Sequence, residues 1–476
     1  MVNKNDDRST RRDFLTRDAG IAAVTATLVS GARAEASSKA APKAVTRVLG
    51  ANDRINIAFI GNGMQFLTLV EMFKNRQRQK NDVQLAAVCD VWAPRLEYAQ
   101  KQAGAEKTYR DYREVLQRPD IDGVVLAVPD HWHYLMSREA LLAGKDVYLE
   151  KPMTHTVEEA AKLNDLVDQT KRILQMGGTG PATRLNWKIN DYIKAGKLGK
   201  VLWGLISYNR NTREGMWDYP IPGVGSDHWP DAKFGPENLD WDMWRGPAPK
   251  RRFSAERYFR WRKFWDYSAG NAGDLLYHRL GTMSTMIGFD FPTRAVGVGG
   301  IYVQKNREVP DTYMTMIEYP GDYAVNMVSC MGNATSVPIT VYGNWGTLQV
   351  LEGQAAMDSM GDQRKAATAQ PQRRPRGVAV VRPERQFLEE FKQANDGQTE
   401  VTIEPEPGPN LAEDWLDSMR SRQSPVYNVL RGYQVMVAIG LGVESYRTGK
   451  VMAYDPVRRR MLTAAPPHKE YPPAEA

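Results

Sequence analysis

Short apolar runs alternate with helical patterns at the start of the ordered chain. Arg54–Ile60 is a run of β-forming residues that ends in a glycine turn, and apolar residues then recur at helical spacing from Phe66 to Phe73. A second apolar run, Val83–Cys89, follows. Because continuous apolar runs suit strands buried on both faces, this pattern predicts a parallel sheet covered by helices.

The same alternation continues to residue 176. The further predicted strands are Gly123–Val128, Lys145–Leu149 and Arg172–Met176, and the further predicted helices are Tyr134–Ala143 and Val157–Thr170. We expect Asp130 to cap the first of these helices. The alternation as a whole predicts one doubly wound α/β domain over residues 53–176.

Residues 177–460 show a second pattern, in which short apolar runs follow one another. The predicted strands are Ala295–Val303, Tyr313–Glu318, Ala324–Cys330, Pro338–Tyr342 and Thr347–Leu351, and helices are predicted around Leu411–Met419 and Val435–Tyr446. We expect a second domain here. It contains a Gln-, Ala-, Arg- and Pro-rich surface insertion at about 353–385 and precedes a loose tail at 461–476.

The first 34 residues do not belong to either domain. Thr10–Leu15 holds a twin arginine, an alanine-rich apolar stretch follows at Ala19–Val29, and Ala32-Arg33-Ala34 has the form of a cleavage site. This order predicts a twin-arginine signal peptide at 1–34 that directs export to the periplasm or another exported location, followed by a flexible arm at 35–52. The apolar stretch is too short for a stable membrane insertion.

Composition and charge narrow the function classes. The chain has 476 residues, of which 42% are apolar and 25% charged, as in globular proteins of two domains. Its net charge of +7 is concentrated in the leader and in residues 361–385. Since a nucleic-acid site needs basic residues on one ordered face, we predict no nucleic-acid partner. The two cysteines, Cys89 and Cys330, exclude a disulfide framework but not a single bridge.

A glycine turn, Gly61–Met64, joins the first strand to the first helix. Such a turn lets the backbone approach a pyrophosphate, and the helix N-terminus favours the anion. The fingerprint expects glycine or alanine where this chain has Phe66. Asp90 ends the second strand, where it would bond to an adenosine ribose 2′-hydroxyl and repel a 2′-phosphate, which favours NAD over NADP. The predicted cofactor contacts here are Gly61, Gly63, Met64 and Asp90.

Three motifs then follow in order: Val128-Pro129-Asp130 with His133, Ala143-Gly144-Lys145 with Val147, and Glu150-Lys151-Pro152. In this combination the chain resembles the Gfo/Idh/MocA oxidoreductases over about residues 54–456. The resemblance implies an α/β Rossmann domain that binds NAD or NADP. It further implies an α+β domain with an open, mainly antiparallel sheet, and a homo-oligomer. Lys151 would lie beside the nicotinamide and the reacting hydroxyl, where it is suited to proton transfer.

Four more residues complete the predicted cofactor site: Pro129, His131, His133 and Glu150. His133 matches a family histidine near the cofactor, and His131 either covers the nicotinamide edge or caps the following helix. No cysteine or carboxylate cluster with ligand spacing surrounds the two histidines in the sequence, so we predict no metal site.

A second motif lies at Gly273–His278. Asp274 and His278 are four residues apart, which places both on one face of a helix. The resemblance joins them to Lys151 in the active site. His278 is the predicted general base because imidazole titrates near neutral pH, and Asp274 would orient the substrate hydroxyl or the imidazole.

An aromatic and arginine-rich stretch, residues 239–267, precedes this motif. Ring faces and hydrogen-bonding groups of this kind suit a carbohydrate, although a core or an oligomer interface also explains them. The predicted substrate contacts are Trp261, Arg262, Trp265 and Tyr277.

These residues leave three functions open. The first is NAD-dependent oxidation or reduction at a hydroxyl or ketone of a sugar or sugar derivative. The second is redox-neutral cleavage of a glycoside by a lyase or hydrolase with tightly bound NAD, in which a transient ketone acidifies the neighbouring C–H and elimination breaks the glycosidic bond. Export favours the second, because free NAD is scarce outside the cytoplasm. The third is a non-catalytic NAD-binding sensory module, motivated by Phe66 and by the absence of an acidic residue after His278.

Overall fold

A computed structural model of the protein describes residues 53–178, 180–221, 234–351 and 377–463. The predicted signal peptide at 1–34 and arm at 35–52 lie outside the described residues, as does the predicted tail from residue 464 onward. The prediction of a loose tail is wrong for its first two residues, which belong to a paired strand, Arg460–Leu462. Cys89 and Cys330 are free thiols, so no bridge joins them.

The first domain is built on a parallel sheet. Its strands are β1 Ile55–Ile60, β2 Val83–Cys89, β3 Lys107–Tyr109, β4 Gly123–Leu126, β5 Asp146–Leu149 and β6 Leu174–Met176. Its helices are α1 Met64–Lys80, α2 Ala93–Ala103, α3 Tyr112–Leu116, α4 Asp130–Leu142 and α5 Val157–Thr170. The strand order is β3-β2-β1-β4-β5-β6, and every pairing is parallel within the described residues. The order reverses between β1 and β4, which opens a crevice at their carboxyl ends.

The second domain carries a wide, open sheet. Its strands are β7 Val201–Ser207, β8 Arg294–Gly300, β9 Thr312–Tyr319, β10 Tyr323–Cys330, β11 Ile339–Gly343, β12 Gly346–Leu351, β13 Val378–Pro383, β14 Val401–Ile403, β15 Met452–Asp455 and β16 Arg460–Leu462. Their order is β14-β13-β12-β11-β7-β10-β9-β8-β15-β16. Among the described strands of this second sheet, only β7 and β10 pair in parallel, and all other neighbours are antiparallel. The predicted fold class, a Rossmann domain followed by a mainly antiparallel open sheet, is confirmed.

Helices of the second half pack on this sheet and return to the first domain. They are α6 Arg184–Lys194, α7 Trp241–Arg245, α8 Ala255–Phe259, α9 Tyr277–Ile287, α10 Leu388–Ala394, α11 Leu411–Ser421 and α12 Val429–Thr448. On α11, the buried Trp415 ring lies 5.8 Å from Phe73 and 5.9 Å from Tyr148. Arg76 on α1 pairs with Asp417 at 2.7 Å. The core of the first domain is therefore completed by residues late in the chain. No helix in the described ranges is long and apolar enough to cross a membrane.

The structure differs from the sequence prediction at several elements, two of which show why the local pattern was insufficient. Val378–Pro383 belongs to the predicted insertion at 353–385, yet it forms β13 and pairs on both sides with β12 and β14. The short apolar run was missed because the residues before it are rich in Gln, Arg and Pro. Residues 352–376 lie outside the described part of the chain. Helix α12 begins before the predicted Val435 because Asn428 caps it, accepting a hydrogen bond from Arg431 N–H at 3.1 Å.

One face of the second sheet exposes an apolar patch. Val296 and Val298 on β8 lie opposite Met316 and Met314 on β9. These four side chains are between 43% and 56% exposed. The four side chains form a contiguous exposed apolar patch on this face of the sheet.

Phe66 is a core residue of the Rossmann domain. It is fully buried on α1, and its ring meets that of Phe59 on β1 edge-on at 5.4 Å. Phe59 in turn meets Phe73 at 5.7 Å. An aromatic contact thus joins α1 to β1 at the position where the fingerprint expects a small residue, and the preceding glycine turn is left unobstructed.

Replacing Phe66 by Ala restores the fingerprint and should nevertheless destabilise the protein. Loss of a fully buried ring costs about 3–5 kcal/mol in the free energy of unfolding. Urea denaturation followed by tryptophan fluorescence measures the change. Met64→Ala on the same helix is the control: its side chain is 52% exposed, so the expected change is within about 0.5 kcal/mol. Equal stability of Phe66→Ala and the wild type would contradict the packing argument.

Candidate functional site

The glycine turn between β1 and α1 brings the backbone to the crevice. Gly61 has a φ of 83°, and a Cβ on it would lie 2.6 Å from Val128 Cγ1 and 2.8 Å from the Ala127 carbonyl oxygen. The position therefore requires glycine. Gly63 is the N-cap of α1 and supplies no side-chain cap, and a Cβ on it would meet no atom within 4 Å. The first amides of α1 are thus left for an anion.

Asp90 follows β2 on the same wall. It is 5% exposed, and its carboxylate accepts hydrogen bonds from the backbone N–H of Asn62 at 2.8 Å and of Trp92 at 3.0 Å. These bonds fix the direction of the carboxylate and leave it further acceptor capacity for a ribose hydroxyl. Arg95 and Arg110, which sequence reasoning missed, line the cavity beside it.

Residues 234–267 of the second domain, which we call the aromatic cover, close over this end of the crevice. Leu239 forms a β-bridge with Trp92 of the first domain. The Trp92 ring is fully buried, 5.5 Å from Phe259 and 5.7 Å from Phe234. The cover is therefore anchored on the loop that follows Asp90 and joins the two domains across the crevice.

One cavity of about 670 Å³ runs along these walls to the end of β5. The predicted site residues that line it are Gly61, Gly63, Met64, Asp90, Pro129, Glu150, Lys151, Trp261 and Arg262. Its walls offer a helix N-terminus for a pyrophosphate and a carboxylate for a ribose hydroxyl. A dinucleotide such as NAD therefore fits the residues present.

Lys151 stands at the carboxyl end of β5, where it meets the second domain. Its Nζ donates to Asp274 Oδ1 at 2.8 Å and to the Asp274 carbonyl at 2.9 Å. Arg262 Nε donates to the same carboxylate oxygen at 2.9 Å. The side chains of Lys151 and Asp274 are only 12% and 10% exposed. One carboxylate therefore holds two cations at the cavity wall.

This arrangement determines the charge of Asp274. Burial alone would raise the pKa of its carboxyl, but Arg262 and Lys151 outweigh burial and hold that pKa well below its usual range. Asp274 is therefore an ionised partner of the two cations and no proton acceptor near neutral pH.

His278 does not join the pairing of Asp274 with the two cations, and neither Asp274 nor His278 is among the residues that line the cavity. Asp274 lies in a π turn, Ala272–Leu276, and His278 lies in the first turn of α9, which continues from it at Tyr277, so the two residues belong to one continuous helical stretch. Asp274 turns to Lys151 and Arg262, while His278 Nδ1 is buried without a hydrogen-bond partner in the described part of the chain. Burial, followed by the nearby charge of Lys151, lowers the pKa of the imidazole well below 6.5. A neutral imidazole next to the ion pair remains able to accept a proton.

Two motif residues fix the turn after β5 that contains Lys151. Glu150 accepts hydrogen bonds from Gln65 Nε2 at 3.0 Å and from Lys151 N–H at 3.2 Å. His133 is 1% exposed, with Nδ1 2.5 Å from the Pro152 carbonyl oxygen and Nε2 2.9 Å from that of Val128. The structure thus places His133 behind the cavity wall, where it joins β4 to the turn after β5.

Three predicted ligand contacts lie away from the cavity wall. His131 donates from Nε2 to the Trp244 carbonyl at 3.1 Å, and burial lowers its pKa to about 3. Pro129, not His131, is the N-cap of α4. Tyr277 is fully buried, with its hydroxyl donating to the Gly432 carbonyl at 3.1 Å. Trp265 packs under the Arg447 guanidinium, 5.1 Å from its ring centroid. All three side chains therefore make packing contacts within the protein instead of facing the cavity.

Asp130 has a different role from the predicted cap. Pro129 is the N-cap of α4, and Asp130 Oδ2 is buried without a partner among the described residues. Asp130 lines the cavity, is 2% exposed, and burial raises the pKa of its carboxyl to about 6. Sequence reasoning also missed Arg210 and Tyr219 on the same wall, because they belong to no motif.

Comparisons with known proteins agree with this architecture. A glycosyl hydrolase family 109 protein from Shewanella sp. (strain ANA-3) is 30% identical over 217 residues, which are 43% of this chain and 46% of that protein. The match thus spans about half the length of that curated relative. Among solved structures, the WlbA dehydrogenase from Bordetella pertussis, determined with NADH and UDP-GlcNAcA, has a TM-score of 0.58 at 16% identity and covers 84% of this chain and 99% of its own.

A levoglucosan dehydrogenase determined with NADH and levoglucosan has a TM-score of 0.57 at 18% identity, covering 84% of this chain and 99% of its own. These structural likenesses show a shared fold. Two family models match the sequence directly. The first, described as an oxidoreductase family with an NAD-binding Rossmann fold, matches residues 55–178, and the second, its C-terminal alpha/beta domain, matches residues 186–320. Together they cover more than half of the chain, which therefore belongs to the Gfo/Idh/MocA oxidoreductase family.

Proposed function

We propose that the protein is an NAD-dependent oxidoreductase that acts on a hydroxyl or ketone of a sugar or sugar derivative. The observation that carries this proposal is the position of Lys151. It lies on the wall of the cavity that also holds the glycine turn and Asp90, and it is paired with Asp274 of the second domain. A sugar between the domains would meet Lys151 at the mouth of the nucleotide site.

Oxidation of a hydroxyl removes a hydride from carbon and a proton from oxygen. When bound, NAD supplies the hydride acceptor. Lys151 Nζ, held by Asp274 as an ammonium, is placed to hydrogen-bond the reacting oxygen and to stabilise its negative charge, and the neutral imidazole of His278 is the proposed acceptor of the hydroxyl proton. Asp274 stays ionised and keeps the lysine oriented.

Replacing Lys151 by Met should abolish most turnover and leave nucleotide binding intact. General acid–base groups contribute about 10²–10⁴-fold to rate, so kcat should fall by that factor. The assay follows NADH absorbance with the fastest substrate found in a panel of aldoses, amino sugars and uronic acids. Lys162→Met, an exposed lysine on α5, is the control and should keep the wild-type rate. An unchanged kcat in Lys151→Met would refute the assignment, as would a wild type that binds NAD and oxidises no sugar.

A second function, redox-neutral cleavage of glycosides, is supported by two observations. The curated relatives at 30% identity carry the name glycosyl hydrolase. The aromatic cover closes the end of the cavity at Trp92, which favours a nucleotide that is retained between turnovers. We propose glycoside cleavage together with export through the twin-arginine signal. An exported enzyme that retains its NAD would not need free NAD outside the cytoplasm.

Retention and cleavage are tested together. Protein purified without added nucleotide should release nearly one NAD per chain on denaturation, measured by mass spectrometry. Aryl glycosides supplied to that protein without further NAD should then be cleaved over many turnovers with no net NADH. In D₂O, deuterium should enter the carbon next to the transient ketone. Turnover that stops after one equivalent unless NAD is added would instead establish net oxidation.

We also propose that the exposed patch of Val296, Val298, Met314 and Met316 pairs with a second copy of the chain. Light scattering after gel filtration should give the mass of an oligomer for the wild type and of a monomer for Val298→Lys with Met316→Lys, because burying two charges opposes association. Leu430→Lys, an equally exposed apolar residue on α12, should leave the mass unchanged. A monomeric wild type would contradict this proposal.

A further inference from the structure

Charged side chains of both signs, including the Glu150 carboxylate, surround Lys151 at the cavity wall. Lys151 and Arg262 share the carboxylate of Asp274 at 2.8 and 2.9 Å. Asp130 is a second carboxyl group near Lys151 and Arg262, and the charges of both act on it. These two cations are therefore matched by acidic groups of the protein.

Arg210 is a third cation on this wall, and it forms no ion pair with an acidic residue in the described part of the chain. It lines the same cavity as Lys151 and Arg262. No carboxylate of the described residues comes within ion-pair distance of it, and its Nε is buried without a hydrogen-bond partner. A partly buried charge without a counterion is costly, so its free energy falls when an anion binds beside it.

The guanidinium of Arg210 is nevertheless held in place. It lies over the ring of Tyr208, 4.8 Å from the centroid, and its Nη2 donates to the Tyr208 hydroxyl. Its backbone N–H donates to the Cys330 carbonyl at 2.9 Å, which anchors the residue beyond the end of β7. A planar cation fixed in this way is preorganised for carboxylate, sulfate or phosphate oxygens.

Arg210 also lies close to the reacting end of the cavity. Its charge acts on the buried imidazole of His278 and on the Tyr219 phenol, as does the charge of Asp274. The acidic residues on the neighbouring wall do not offset it. Asp218 is paired with Lys263 at 2.7 Å and Arg260 at 3.1 Å, and Glu214 is solvent-exposed.

We propose that the sugar handled at Lys151 carries an anionic group that pairs with the Arg210 guanidinium. The proposal rests on the proposed sugar chemistry of this cavity and specifies its substrate class as acidic sugars. The shared chemistry is an anionic oxygen group one or two bonds from the sugar ring. A uronic acid, a sugar sulfate and a sugar phosphate would each supply it.

Calorimetric binding to the NAD-loaded protein tests the charge requirement. The probes are glucuronate and galacturonate, their neutral methyl esters, and glucose 6-sulfate and glucose 6-phosphate. A charge-assisted hydrogen bond is worth about 10- to 100-fold in Kd, so at least one anion should bind that much more tightly than its neutral counterpart. The three kinds of probe identify which anion the site accepts.

Substitutions then locate the effect. Arg210→Gln should reduce the preference for the anion to within about 3-fold and leave the Kd of the neutral ester and the bound NAD unchanged. Arg210→Lys keeps the charge without the planar fork and should retain part of the preference. Arg138→Gln, an exposed arginine on α4, removes the same charge away from the cavity and should retain all of it.

The outcomes separate this proposal from the proposed function. Arg210-dependent binding of an acidic sugar without hydride transfer or cleavage would sustain the anion site and overturn the reaction. Turnover of neutral sugars with the same kcat/KM as acidic ones, or an anion preference that survives Arg210→Gln, would overturn the anion site and leave the reaction standing.

Discussion

The site depends on one shared carboxylate. Asp274 comes from a π turn in the second domain and binds Lys151, at the end of a strand of the first, together with Arg262. Neither domain alone supplies the pair, so the lysine is oriented only when the two are docked. The low exposure of both side chains strengthens their attraction, and it makes the loss of either partner more costly than at the surface.

Domain docking is secured at two other places, each through aromatic rings. Trp415 on α11 fills the core of the Rossmann domain between Phe73 and Tyr148, and Trp92 enters the aromatic cover. The first contact lies within the main core and the second at the nucleotide end of the crevice. Because Trp92 lies two residues after Asp90, the loop that would bind the ribose is also the loop that anchors the second domain. The proposed retention of the nucleotide would in this way be linked to domain docking.

Features that depend on a local sequence pattern could be predicted from the sequence. Gly61 follows from the turn geometry that a strand-to-helix connection needs, and Lys151 from its place at the end of a buried strand. His131 and His133 were beyond this reasoning, because only the packing of α4 decides which of its side chains point at the cavity: Asp130 does, while the two histidines bond to backbone carbonyls of neighbouring segments.

The second domain shows the same limit more strongly. Trp261 and Trp265 have similar composition around them, yet only Trp261 reaches the cavity. Arg210 and Tyr219 line it without belonging to any motif, since both lie in the irregular segment after β7. The nucleotide end is thus built from motif residues of the first domain, and the wall that would meet the proposed sugar is built largely from residues that no pattern marks. A fold of this kind can keep one cofactor site while its substrates diverge, because a change at Arg210 would alter the charge offered to a substrate without disturbing the Lys151–Asp274 pair.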